Sequence, residues 1–249
     1  MRRLIVLTIS FAVLAATQIV VHAELPNPPT KTELEDAVTQ IRTVLQQDYL
    51  AAKTPDNRIG LARKLLELAA ETNDAPVTRY ALLIEARDLA ANSGNAQIPL
   101  ESIHMLARLH RVDVTEEQVA VLGLASRTAR TASQHQALIA ATQDLVEQYA
   151  DLYRYDVVRR LGAIASSAAR KSSDLVLRRQ VAEQLELVDL LRREHAALQG
   201  ALAELREDSA DPESSLKVGR FLALAKGDWS KGLRWLARGS DAKLKALAQ

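Results

Sequence analysis

Apolar positions recur along this chain at steps of three and four residues, the period of helices that bury one face. Ile59, Ala62, Leu66 and Ala69 set one such face, with Ala62 small enough for close packing. Helices are predicted at 31–52, 57–72, 77–92, 97–111, 115–131, 134–151 and 155–171, and then at 173–207, 213–226, 229–238 and 241–248. Pro55, Pro76, Pro99 and Pro212 each fall near a predicted helix start, where proline is tolerated. Thr115-Glu116-Glu117-Gln118 reads as a capping box, and Ser93-Gly94-Asn95 as a helix end with Gly94 in the left-handed conformation. No run of Val and Ile bounded by glycine turns suggests a buried parallel sheet.

The predicted second helices begin near 77, 115, 155 and 229, a period close to that of stacked helical hairpins, with 173–207 filling the longer gap. The expected fold class is therefore all-α: a right-handed, tetratricopeptide-like α-solenoid of stacked hairpins over 31–172, a long helix, and a last hairpin over 208–249. In the long segment, Leu177, Val181, Gln184, Val188, Leu191, His195, Leu198, Leu202 and Leu205 alternate by four and three, forming a heptad seam. Such a seam suits either a coiled-coil homodimer, with Gln184 and His195 fixing register, or a long helix lying on its own solenoid. Leu185, Leu187 and Leu190 broaden the apolar surface and favour the second.

Composition supports the helical reading. About a third of the 249 residues are Ala or Leu, with only 9 Gly and 7 Pro. Residues 1–23 read as a secretory signal. Arg2 and Arg3 precede an apolar stretch from Leu4 to Val21, and Val21-His22-Ala23 is a cleavage site that leaves Glu24 first. An uncleaved anchor is the alternative. Residues 24–30 then form a Pro-rich mature N-terminus.

The formal charge is +1 for the whole chain and −1 without Arg2 and Arg3, so nothing electrostatic points to nucleic acid, or to a membrane beyond the signal segment. Cysteine is absent, which excludes disulfides, thiolate metal sites and cysteine nucleophiles.

Candidate chemistry is sparse. His104, His110, His135 and His195 lie at no metal-ligand spacing, and no H-E-x-x-H, G-x-S-x-G or phosphate loop occurs. Ser214-Ser215-Leu216-Lys217 contains S-x-x-K without its S-D-N and K-T-G companions, and reads as the first turn of a helix. No catalytic residue, cofactor or metal is expected. Tyr149, Tyr153 and Tyr155, with Arg154, Arg159 and Arg160, either present an interaction patch or pack a hairpin turn. Tyr153, Tyr155 and Arg159 are the interaction candidates.

The most distinctive stretch is KGDWSKGLRWLARGSDAKLKALA, near the C-terminus. Gly227-Asp228-Trp229 and Gly232 look like the turn and second-helix start of a tetratricopeptide hairpin, with Gly232 where such repeats place alanine. Trp229 is expected to anchor that hairpin, and Trp235 to contact a partner. The same run resembles the C-terminal part of a family of exported planctomycete helical-repeat proteins of unknown function. Residues 58–95 are similar to that family's earlier repeat, through Leu61-Ala62-Arg63-Lys64-Leu65-Leu66 and Arg79 to Ala86. The resemblance implies an exported helical scaffold and brings no catalytic residue. Longer relatives continue into a surface domain, so a function residing there would lie outside these residues. The expected function is a non-enzymatic scaffold for an unknown protein partner in the periplasm or at the cell surface. The alternatives are an accessory polysaccharide- or ligand-binding fragment and a coiled-coil assembly protein.

Overall fold

The structure is a computed structural model that describes residues 25–248. The expected signal, with its Ala23–Glu24 junction, lies outside the described residues. Every regular element among the described residues is a helix: α1 (Lys31–Val44), α2 (Gln46–Ala51), α3 (Pro55–Glu71), α4 (Pro76–Ala91), α5 (Gln97–Leu109), α6 (Val114–Thr128), α7 (Ala132–Asp151), α8 (Tyr155–Lys171), α9 (Leu175–Glu207), α10 (Pro212–Arg220), α11 (Trp229–Leu236) and α12 (Ala242–Ala248). The chain is all-α.

Local chemistry sets most boundaries. Side chains of Thr30, Thr54, Thr131, Asp174, Asp211 and Asp228 accept backbone N–H groups that the first helical turn leaves unpaired. Gly94 and Gly227 take left-handed φ values of 78° and 70° at the turns after α4 and before α11. Three boundaries differ from the sequence reading. The predicted 31–52 helix breaks at Leu45, whose φ of −100° and ψ of 24° separate α1 from α2. The Thr115–Gln118 capping box is absent: Asp113 caps α6 instead, accepting from Glu116 N at 3.0 Å. Its carboxylate suits the positive end of the helix dipole better than a hydroxyl does. Gln118 is then free to turn inward, where its Oε1 accepts from the Tyr149 hydroxyl at 2.9 Å. The third difference is a π turn over Phe221–Ala225 that continues α10, with Lys226 N donating to Phe221 O at 3.0 Å.

Consecutive helices pack most closely as α3 with α4, α4 with α5 and α7 with α8, and α5 also touches α6. In addition α1 lies on α4, α4 on α6, and α6 on α8, so these four form a row. Polar links tie the row together. Glu85 of α4 is buried, accepts from Arg42 of α1 at 2.9 Å through both carboxylate oxygens, and accepts from Tyr49 at 2.7 Å. Arg87 of α4 pairs with Glu117 of α6 at 2.6 Å, and Glu116 of α6 with Arg160 of α8 at 2.5 and 2.8 Å.

Toward the helix C-termini, Thr128 of α6 donates to Ala91 O and Lys171 of α8 donates to Ser126 O. Each link gives a terminal carbonyl, which has no partner inside its own helix, a donor from the next row member. Because both ends match, α6 and α8 run parallel.

Apolar burial falls into three clusters. One lies under α1, α3, α4 and α5, and a second under α6, α7, α8 and the first half of α9. The third is smaller and joins the second half of α9 to α10, the π turn and α11. Ahead of α1, Pro26 O accepts from Arg111 N at 2.9 Å, and the His110 Nδ1–H donates to Asn27 O at 3.2 Å, holding the N-terminal segment across the α5–α6 turn.

Candidate functional site

α8 and α9 form an antiparallel hairpin whose contact is set by a glycine. A Cβ at Gly162 would stand 2.5 Å from Leu185 Cδ2, so the leucine tip fills the space that the missing side chain leaves. Beyond this contact, toward the start of α8, the hairpin opens into a groove of about 240 Å³. Val158, Gly162, Leu185 and Val188 make an apolar floor, while Arg159, Asp189 and Arg192 stand at the rim. That volume is below the range usual for pockets that enclose a small ligand, roughly 300–1,000 Å³, and the groove is open along its length.

The rim is unequally paired. Asp189 accepts from Arg192 Nε at 2.9 Å and also binds Arg193, and these partners hold its carboxyl below the usual carboxylate range. Arg159 is exposed and has no hydrogen bond or ion pair among the described residues. Tyr155 closes one end of the groove. Its hydroxyl is sealed from solvent without a partner among the described residues, and burial pushes its ionisation upward.

Next to Tyr155, the turn between α7 and α8 meets α9 in an aromatic junction. Tyr153 adopts φ 59°, a left-handed value that a tyrosine holds only where its surroundings fix it. Its ring stacks on His195 at 4.5 Å and 15°, and Phe221 of the π turn lies 5.9 Å from the imidazole. Lys226 Nζ sits 5.1 Å from the Tyr153 ring centroid and binds Asp151 at 2.8 Å. Burial, with Lys226 adding to it, lowers the His195 pKa.

The sequence candidates thus divide. Tyr155 and Arg159 come together at the groove, and Tyr153 belongs to the adjoining junction. Tyr149 is buried and structural, its hydroxyl also lying 3.0 Å from Thr115 Oγ1. The two tryptophans stand differently from the expectation for Trp229. Trp229 does not anchor the last hairpin, since it is 53% exposed at the first position of α11. Trp235 is half-buried against the α9–α10 cluster, so it is a packing residue before it can be a contact.

Gly232 and Gly227 stand as the hairpin needs. A Cβ at Gly232 would meet Ala223 N and Cβ at 2.6 Å, and Gly227 supplies the left-handed turn. The heptad seam of α9 is covered by the chain itself. Leu177, Val181 and Val188 join the middle cluster, Leu198, Leu202 and Leu205 the C-terminal one, and His195 the junction.

Asp189, Arg192, Gly162 and Ser166 are groove residues that sequence reasoning missed. The 155–159–162–166 spacing was the available signal, since it puts these residues on one face of α8. Ser214 is fully buried and its hydroxyl donates to Glu204, whose carboxylate also lies 3.7 Å from Lys217 Nζ. Among the described residues no cluster of three or more His, Asp or Glu could hold a metal, and no helix is long and apolar enough to cross a membrane. No family model matches the chain, and no curated protein or solved structure matches it significantly.

Proposed function

We propose that the protein is an exported, non-enzymatic scaffold, a tetratricopeptide-like stack of helical hairpins that holds another protein in the periplasm or at the cell surface. One observation carries this reading: the groove between α8 and α9 combines an apolar floor with a rim arginine, Arg159, that has no ion pair among the described residues. Apolar centres rimmed by charge are the usual anatomy of protein-docking surfaces, and arginine is among the residues that most often dominate them. The succession α1, α4, α6, α8 supports a stacked arrangement, because an arginine–glutamate pair links each member to the next. A homodimer through 173–207 would have to use the outer stripe of Leu187 and Leu190, since the seam is occupied within the chain.

The test has two arms. Export is checked by sequencing the N-terminus of the protein recovered from the producing cell's envelope: Glu24 as first residue supports it, and an intact Met1 in the cytosol refutes it. Scaffolding is checked by cross-linking capture with residues 24–249, alongside Arg159→Glu and Trp235→Ala forms. One envelope protein recovered by the parent and lost with Arg159→Glu supports the reading. Turnover of a substrate by the isolated chain would refute it.

A further inference from the structure

The row formed by α4, α6 and α8 is built by a rule that its last member leaves open. Where α4 meets α6, Arg87 binds Glu117; where α6 meets α8, Arg160 binds Glu116. In both junctions the glutamate lies in the first turn of α6, where negative charge is also favoured by the helix dipole. α8 has a second face. At about 100° per residue, Tyr155, Arg159, Gly162 and Ser166 stand roughly opposite Arg160 and Lys171, the residues that bind α6. Among the described residues no row helix other than α6 packs on α8, while α9 packs on the second face at Gly162 through Leu185 and leaves the groove open beside it.

We propose that this groove receives an α-helix of a partner protein, which extends the row by one member and seats an acidic residue of its first turn against Arg159. The proposal rests on the scaffold reading and names the occupant. Charge complementarity selects the acid: Arg192 is already held by Asp189, so Arg159 is the cation left to be matched. The floor selects the other positions. Val158, Leu185 and Val188 along it accept Ala, Val or Leu side chains at i, i+3 or i+4, and i+7. From Tyr155 to Ser166 the face is about 17 Å long at 1.5 Å per residue, which matches roughly three turns of an incoming helix. Parallel running, as between α6 and α8, places the partner's N-terminus at the Arg159 end. Another recess, between Leu190 of α9 and Leu224 of the π turn, continues no such row.

The experiment uses the full chain and a displayed library of amphipathic helical peptides about 15 residues long, with Ala, Val or Leu on one face and the first turn varied among Glu, Lys and Gln. The expected result is enrichment of Glu in the first turn, with Kd rising about tenfold or more against Arg159→Glu. A first-turn Lys peptide should then bind Arg159→Glu better than it binds the parent, and Arg159→Lys should keep most of the affinity. Ser166→Trp, which fills the floor, should abolish binding of every selected peptide. Arg159 is exposed and unpaired, so unchanged thermal unfolding of Arg159→Glu separates lost docking from lost folding.

Binders indifferent to first-turn charge and to Arg159→Glu overturn the proposal. Binders lost with Leu187→Asp and Leu190→Asp instead overturn it while leaving the scaffold reading standing, and the absence of any binder sinks both. A dimer in sedimentation that Arg159→Glu dissolves would make the occupant a second copy of this chain, and that also overturns a partner helix.

Discussion

His135 of α7 is 5% exposed, and its Nδ1 has no hydrogen-bond partner among the described residues. Burial lowers its pKa from 6.5, and Lys171 and Arg130 lower it further. The unfolded chain therefore takes up a proton before the folded chain does. This residue's contribution to stability is complete above about pH 6.5 and is lost as pH falls from there through the folded value. His195 acts in the same direction. His135→Leu is expected to raise the unfolding midpoint more at pH 5 than at pH 8, measured by thermal melts at both. An equal change at the two pH values would mean that His135 does not titrate on unfolding. The histidine was visible in the sequence, but its burial beside two cations was not, because Lys171 comes from another helix.

At the scale of elements, α9 shows how one pattern can have two uses. Its heptad seam is legible from the sequence, yet a seam states only that an apolar partner lies alongside. α7, α8 and the C-terminal hairpin supply that partner here. Leu198 is 8% exposed within the smallest cluster, whereas Leu187 is 57% exposed. Leu198→Ala should therefore cost about 2–4 kcal/mol in urea unfolding, and Leu187→Ala less than about 0.5. Similar costs for the two would show that α9 is packed on another face.

The last hairpin supplies a second case at this scale. Gly232→Ala would drive a methyl group into the backbone of Ala223 and force α11 away from the π turn. In a Trp229→Phe background, the emission of Trp235 should shift to the red as its packing on the α9 cluster opens. An unshifted spectrum with unchanged stability would refute the close approach. KGDWSKG made the turn and the small residue readable; which tryptophan faces inward depends on where α9 lies.

Over the whole molecule, stability is unevenly distributed. The N-terminal and middle clusters are extensive and are cross-linked by the Arg–Glu pairs along the row, whereas five buried side chains form the core of the C-terminal cluster. Regions with fewer buried apolar contacts open more often than the rest. Amides of α10 and α11 should exchange with deuterium well before those of α4 and α8. Exchange at one common rate would indicate a single cooperative unit. The Tyr153–His195–Phe221 junction lies where the two regions meet, so opening of the hairpin should expose the stacked imidazole.

The sequence by itself determined the helical class, and most helix ends to within two residues. Helix period, proline placement, threonine and aspartate caps and left-handed glycines act over a few neighbouring residues, so they can be read along the chain. The tertiary structure decided which of two caps α6 uses, which tryptophan is covered, and what occupies the α9 seam. It also decided that Arg159 has no ion pair among the described residues and stands beside an apolar groove. Most of these depend on side chains brought together from distant helices, as Glu117 reaches Arg87 and Lys226 reaches Asp151. Pairings at that distance are selected by the packing of whole helices, and no short pattern in the chain encodes them.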